Sequence, residues 1–300
     1  MQKIIILIYF VFLSYSCSEI KLKNNQQTDI SNTFCRTKAK FFEKYNWKSQ
    51  TKCKDIGFKS YGKTPLNHHL IYTQFPKRTK KTYQNTTLVL CGVHGDEITP
   101  VKFCFNLIDK LKLNPQILSN EKVIIAPLVT TDSFFIDKPT RQNANKIDIN
   151  RNFPTKDWNY KAEKLWKTRY HKDPRRYPGE IAGSEIETKF QIYLITKYKP
   201  QKIITVHAPL NLIDYDGPTI KQFKGKGANS LLKNMSSKTG YRIIDYPFFT
   251  GSLGNWAGNE LKVPTYTLEL PDTNYKKADY YFEQFYSSLI SAIHLNLHEH

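Results

Sequence analysis

The chain has 300 residues, 40% of them hydrophobic and 14% aromatic, which is enough to bury a core and excludes wholesale disorder. It carries 45 lysines and arginines against 26 aspartates and glutamates, a formal charge of +19 with neutral histidines. Such an excess suits an anionic partner or merely a well-solvated surface; charge alone does not choose between nucleic acid, an anionic envelope and an acidic polymer.

Lys3 precedes an apolar run over 4–13, followed by Ser14, Tyr15, Ser16 and Cys17. This is the pattern of a secretory signal peptide over residues 1–16. The run is shorter than the ~20 apolar residues a membrane-spanning helix needs. Export to the periplasm or cell envelope is the expectation, either as a lipoprotein attached to the membrane through lipidated Cys17 or as a simply secreted protein. Residues 17–54 read as a tether and lead-in, and 55–300 as a catalytic domain. Cys35 and Cys53 are able to pair in an oxidising compartment. Cys91 and Cys104 lie in apolar surroundings and are expected as buried free thiols. No CxxC occurs, so a cysteine zinc site is not expected.

Residues 66–75 predict a strand ended by Pro76, and 87–93 a mostly apolar strand buried on both faces. A helix is predicted over 100–111, with Val101, Cys104, Phe105, Ile108 and Leu111 as its apolar stripe. Another strand follows over 123–129. The stretch 130–177 is long, polar and irregular, as functional loops are. Ser184-Glu185-Ile186-Glu187 predicts a capping box at the start of a helix. Strands are predicted over 202–206 and 265–270, and a last helix over 277–297. Apolar strands alternating with helices imply an α/β fold, a mixed, mostly parallel central sheet flanked by helices.

Chemistry gathers where strands end. His94-Gly95-Asp96-Glu97 follows the 87–93 strand, and His207 ends the strand over 202–206. Two histidines and one carboxylate form the three-ligand set of a hydrolytic zinc. A second cluster holds Arg141, Asn143, Asp148, Asn150, Arg151, Asn152, Phe153 and Pro154. The third is Gly251-Ser252-Leu253-Gly254-Asn255-Trp256, then Thr265-Tyr266-Thr267-Leu268-Glu269-Leu270, with Glu269 on the face of Thr265 and Thr267. Taken alone, Glu269 is either a paired structural acid or a general base beside a metal. His68 and His69 are adjacent in a strand and point to opposite faces; these two, His171, His294, His298 and His300 read as structural or solvated.

H-x-x-E, then R-x-N-A-x-x-x-D-x-N-R-N-F-P, a strand-ending histidine and T-L-E-L together resemble the zinc carboxypeptidase superfamily, over roughly residues 55–297. His207-Ala208-Pro209-Leu210-Asn211-Leu212-Ile213-Asp214, Gly183-Ser184-Glu185 and Gly254-Asn255-Trp256-Ala257-Gly258 resemble one bacterial branch, the murein peptide amidase A type and related DL-carboxypeptidases. The resemblance implies one zinc ion on His94, Glu97 and His207, with Asp148 bonded to the first histidine. It implies Glu269 as general base and Arg141 as stabiliser of the oxyanion. Asn150 and Arg151 would grip the terminal carboxylate, for which a guanidinium fork is suited, and Tyr246 would close over the substrate. It further implies hydrolysis of the γ-D-glutamyl–meso-diaminopimelate bond in peptidoglycan stem peptides. Leu253 and Gly254 fall in the specificity region and are uncharged, so no acid is expected there. Thr131-Asp132-Ser133-Phe134 replaces the Asn-Pro-Asp-Gly of many relatives, which puts the turn before Arg141 in doubt.

The alternatives are a zinc carboxypeptidase for ordinary L-peptides, an aminoacylase-like deacylase, and a non-catalytic cell-wall-binding protein. The T-L-E-L strand and asparagine-rich lead-in argue against the deacylase. Nucleic acid is not an expected partner: no reading motif accompanies the basic stretch 77–81, and the signal sequence takes the chain out of the cytoplasm.

Overall fold

A computed structural model describes residues 29–77, 83, 85–218 and 227–297. The expected signal peptide, Cys17, His298, His300 and most of the basic stretch 77–81 lie outside the described residues. Eight strands form one sheet: β1 (Lys59–Lys63), β2 (His69–Phe75), β3 (Asn85–Cys91), β4 (Glu121–Ala126), β5 (Lys202–His207), β6 (Leu212–Tyr215), β7 (Arg242–Ile244) and β8 (Thr265–Glu269). Their spatial order is β1-β2-β4-β3-β5-β8-β6-β7. The central block β4-β3-β5-β8 is parallel, while β1 and β2 on one side and β6 on the other join antiparallel. The helices are α1 (Phe34–Lys44), α2 (Ile98–Leu113), α3 (Trp158–Thr168), α4 (Ile186–Tyr198), α5 (Gly227–Thr239) and α6 (Ala278–His294). The expected mixed, mostly parallel sheet flanked by helices is what the chain forms.

The pleat explains why the central strands read as continuous apolar runs. In β3, Leu88 and Leu90 face one layer with Ile203, Phe190 and Leu194. Val89 and Cys91 face the other with Val101, Ile108, Phe282 and Phe285. Successive side chains point to opposite faces, so a strand covered on both is mostly apolar, and polar members such as Thr87 and Thr205 are buried with it. All five predicted stripe residues of α2 are buried, but so are Phe103 and Leu107, because α2 lies between the sheet, α6 and the lead-in.

The lead-in is part of this core rather than a free tether from residue 29 onward. Ile30, Phe34, Phe42 and Trp47 are buried in the same apolar cluster as α2, and the Asp109 carboxylate accepts the Gln50 and Thr51 amides at 2.8 and 3.0 Å. Periodicity gave α1 little signal, since Lys38 and Lys40 interrupt its apolar residues; Lys38 is buried with its ammonium over the Phe42 ring.

Two expectations are corrected. Ile186 opens α4, but no capping box forms: the Ser184 hydroxyl bonds Glu185, the cap residue Glu185 makes no side-chain cap bond, and Glu187 turns inward to Asn143 at 3.0 Å. A buried amide outcompetes the exposed helix end for that carboxylate. Cys91 and Cys104 are not free thiols but a disulfide with Cα atoms 6.2 Å apart; Cys35 and Cys53 form the second. The first lies at the end of β3 and on the second turn of α2, two neighbours in the same apolar layer that sequence spacing does not bring together. The Cys91–Cys104 bridge closes the stretch that carries His94 and Glu97. Replacing both cysteines by alanine is expected to lower the unfolding free energy by ~3 kcal/mol, the loop-entropy value for ~15 residues. Denaturant unfolding of wild type and double variant measures this, and an unchanged midpoint would refute it.

Candidate metal centre and cleft

The parallel block sets three strand ends side by side. β3 runs out into His94 and Glu97, β5 ends at His207, and β8 ends at Glu269, directly paired with His207. The 94–97 turn is tight. A Cβ on Gly95 would lie 2.6 Å from the Ser133 carbonyl carbon and 2.7 Å from the Thr140 oxygen, so only glycine lets the turn sit against that loop.

Here the side chains converge. His94 Nδ1 is 2.7 Å from Glu97 Oε1, and His207 Nδ1 is 2.9 Å from Glu97 Oε2. All three residues are buried, and their ligand atoms lie within 4.8 Å of one another. His94 Nε2 donates to Asp148 Oδ1 at 3.1 Å, which leaves Nδ1 as the free lone pair. Such a carboxylate fixes the tautomer and raises the basicity of a ligating histidine. The set fits zinc: one carboxylate and two imidazole nitrogens, with the fourth position left to a reactant. Charge agrees. Burial pushes the Glu97 carboxyl up, but His94 and His207 outweigh it and hold the group well below the carboxylate range. Burial opposes a charge on His207, yet Glu97 raises it above its ordinary value.

Asp148 is the hub of the neighbouring charges. It is fully buried, accepts the Asn150 amide at 3.1 Å, and takes Arg141 Nε and Nη2 at 3.0 Å each. Burial raises its carboxyl, but Arg141 and His94 hold it far below the ordinary range. Arg141 Nη1 reaches to 3.2 Å from His94 Nδ1 and 3.4 Å from Glu97. The turn that precedes Arg141 stays intact despite its altered sequence. Thr131–Phe134 form one helical turn, Asp132 accepts the Leu66 amide and pairs with His68, and the Thr140 amide bonds Ser133. His69 bonds Ser60 and Asp29, so both adjacent histidines are structural.

Glu269 faces the metal set with an unsatisfied atom. Its Oε2 is buried without a hydrogen-bond partner. Burial, reinforced by Glu97 and opposed by His207, pushes its carboxyl up to about 6. A buried carboxylate oxygen left unpaired is costly, and one poised near neutrality suits proton transfer.

These residues open on a cleft of about 350 Å³. Asn150 and Arg151 line the same cleft. Asn150 Oδ1 accepts the Leu253 amide, so its NH₂ faces outward; Arg151 is buried, and its Nε has no partner. Tyr246, half-exposed at 39%, also lines the cleft. All nine sequence-predicted site residues are therefore brought to one cleft or its immediate wall.

Two further residues were not anticipated. Asp214 and Asp216 line the cleft near Leu253 and Gly254, which corrects the expectation of an uncharged specificity region. Asp216 accepts the Thr267 hydroxyl, and a Cβ on Gly254 would lie 2.3 Å from Asp216 Oδ1. Gly254 is thus the residue that gives this acid its room. Burial pushes both carboxyls up; at Asp214 the Asp216 charge adds to it and takes the group to about 7, while at Asp216 the Thr267 hydroxyl, His207 and Arg151 oppose it. The signal was legible as two acids, one within and one just after the mostly apolar stretch 212–215 that follows His207, but only the antiparallel return of β6 beside β8 turns them to the cleft.

The zinc carboxypeptidase family model matches residues 43–290, and the chain belongs to that family. The murein peptide amidase A of Vibrio campbellii is 28% identical over 239 residues, 78% of this chain and 86% of that protein. The murein peptide amidase A of Escherichia coli K12 is 27% identical over 218 residues, 72% and 81% of the two chains. Among solved structures, the murein-tripeptide amidase of Escherichia coli O157 superposes with a TM-score of 0.57 at 23% identity, covering 80% of this chain and 92% of that one. Membership makes this chain a metallo-hydrolase of the zinc-dependent class.

Proposed function

We propose that this member of the zinc carboxypeptidase family is an exported carboxypeptidase that hydrolyses the γ-D-glutamyl–meso-diaminopimelate bond of peptidoglycan stem peptides, using one zinc ion. The observation that carries the reading is the buried His94–Glu97–His207 set beside the unpaired Oε2 of Glu269, with Arg151 lining the same cleft. The relatives that carry the name murein peptide amidase A support the substrate. Two disulfides support an oxidising compartment, since thiols in the cytosol are kept reduced.

Zinc held by His94, Glu97 and His207 supplies Lewis acidity and a nucleophile available at neutral pH. The chain's own groups do the rest. Arg151 and the Asn150 amide hold the terminal carboxylate, which fixes the scissile bond relative to Glu269. Glu269 Oε2 removes the proton of the attacking water and returns it to the leaving amine. Arg141, fixed by Asp148, faces the oxygen on which negative charge develops; such prepositioned donors are worth ~3–4 kcal/mol each. Tyr246 covers the substrate from the exposed rim.

Asp214 and Asp216 give the amino group of diaminopimelate's second centre an anionic partner. The Asp214 carboxyl titrates near 7, so lowering the pH through 7 neutralises it and weakens a bound ammonium. KM for an amine-bearing substrate is expected to rise from pH 8 to 6, and Asp214→Asn to flatten that rise while raising KM about tenfold at pH 8, the scale of one charge-assisted hydrogen bond. A wild-type KM independent of pH would refute this. For stability the sign is opposite to that of a paired carboxylate. The folded state holds this proton more tightly, so its contribution is complete below the unfolded pKa of ~4, shrinks as pH rises from there and is gone above about pH 7.

The activity itself is tested with muropeptide tripeptides, followed by mass spectrometry. Release of diaminopimelate is expected. Trimming of ordinary L-peptides with muropeptides untouched would replace the substrate by the general one, and a wall-binding protein would cut neither.

A further inference from the structure

Beyond Arg151 the cleft does not end. A second cavity of about 230 Å³ adjoins it, and Arg151, Arg176 and Phe249 line both. Arg169 and Tyr170 complete its inner wall. The guanidinium groups crowd the two rings: Arg151 lies 4.9 Å from the Phe249 centroid and 6.0 Å from Tyr170, Arg176 5.1 Å from Tyr170, and Arg169 5.8 Å from each ring.

Three like charges converge here; the charge of Asp148 acts on Arg151. Arg176 has Asp173 at a distant 3.9 Å. The carboxylate on the cavity wall, Asp157, is already engaged by Thr155, Thr250 and Lys161. Among the described residues neither Arg151 nor Arg169 has an ion pair, and the buried Arg151 Nε lacks any partner. Aromatic faces attract cations only weakly at exposed sites, and they give a guanidinium's in-plane donors nothing to bond. Arg151 Nη1 donates to the Asn150 carbonyl at 2.7 Å; stacking of this kind orients the forks and leaves the remaining donor edges open to a planar anion.

From this geometry we infer a second anion subsite, formed by Arg169 and Arg176 behind Arg151, that takes a side-chain carboxylate of the substrate's C-terminal residue. The inference rests on the proposed carboxypeptidase reading only in assigning the first carboxylate to Arg151. It deepens that reading by naming what holds the second carboxylate of the C-terminal residue. Arg151 stands between the two cavities and would separate the backbone carboxylate from the distal one. No residue of the metal set contributes to the subsite.

The test is calorimetric titration of zinc-loaded protein with free meso-diaminopimelate and with its monoamide, in wild type and in an Arg169→Ala/Arg176→Ala variant. Wild type is expected to bind the diacid about tenfold or more tightly than the monoamide, the scale of one charged hydrogen bond. In the double variant the ratio is expected to fall to about one, with monoamide affinity unchanged. A wild-type ratio near one, a ratio that survives in the variant, or no binding of either ligand overturns the subsite. Should the variant fail to fold, Arg169→Gln alone is titrated, and the same ratio decides. Hydrolysis of stem peptides with no diacid preference removes the subsite and leaves the activity standing. Diacid preference without hydrolysis does the reverse.

Discussion

A Glu269→Gln variant is expected to keep its fold and its zinc while kcat falls by about 10²–10⁴, the usual range for a positioned acid–base group. The change is nearly isosteric. It removes no hydrogen bond from Oε2, which has none, and relieves a carboxylate that burial already pushes up to about 6. Thermal stability is therefore expected to hold or rise. His94, Glu97 and His207 are untouched, so zinc content is expected to stay at wild-type level. KM is expected to change little, because the terminal carboxylate is held at Arg151. Steady-state kinetics with zinc analysis of the same sample checks all three. Retention of kcat within about tenfold would remove Glu269 as the base and leave it a structural acid.

Asp148→Asn is the second large effect, of a different kind. Asp148 touches neither substrate nor metal in this reading; it binds His94 Nε2, both edge nitrogens of Arg141 and the Asn150 amide at once. Neutralising it leaves the Arg141 cation in a site where its side chain is only 15% exposed. Breaking a buried pair from one side typically costs ~3–5 kcal/mol. The same change loosens the His94 ring, and loss of such an outer partner lowers metal affinity by ~10–100-fold. Unfolding curves and zinc titration against a competing chelator measure the two separately. The pH dependence has the opposite sign to that of Asp214. The Asp148 carboxyl is held far below its ordinary value, so its stabilisation is complete above the unfolded pKa of ~4 and is lost as pH falls below it. Wild-type stability with no acid-side decline attributable to this group, or a variant as stable as wild type, would contradict the assignment.

The residues with chemistry were legible because their constraints are local and specific. A histidine at the end of an all-apolar strand, a carboxylate three residues after another, and a fixed asparagine–arginine spacing each admit few alternatives. The β-strands of the sheet's centre were legible because burial on both faces favours apolar residues over most of their length. Other features depended on which neighbours the fold supplied. Glu187 satisfies the local rule for a capping box, but Asn143, forty-four residues earlier, offers it a buried partner. Cys91 and Cys104 read as two isolated apolar positions until β3 and α2 pack against each other.

The α/β class and the candidate positions thus follow from sequence by itself, since they depend on residue type and local pattern, while the roles of His94, Glu97, His207 and Glu269 are what the motif resemblance implies. What the tertiary structure decided is how charge is distributed around them. It turned Asp214 and Asp216 into the cleft through the β6–β8 pairing, stacked Arg169 and Arg176 on aromatic rings beside Arg151, and drew the lead-in from residue 29 into the core. Long-range packing fixes those placements, and with them the free energy of each buried charge, which no spacing along the chain encodes.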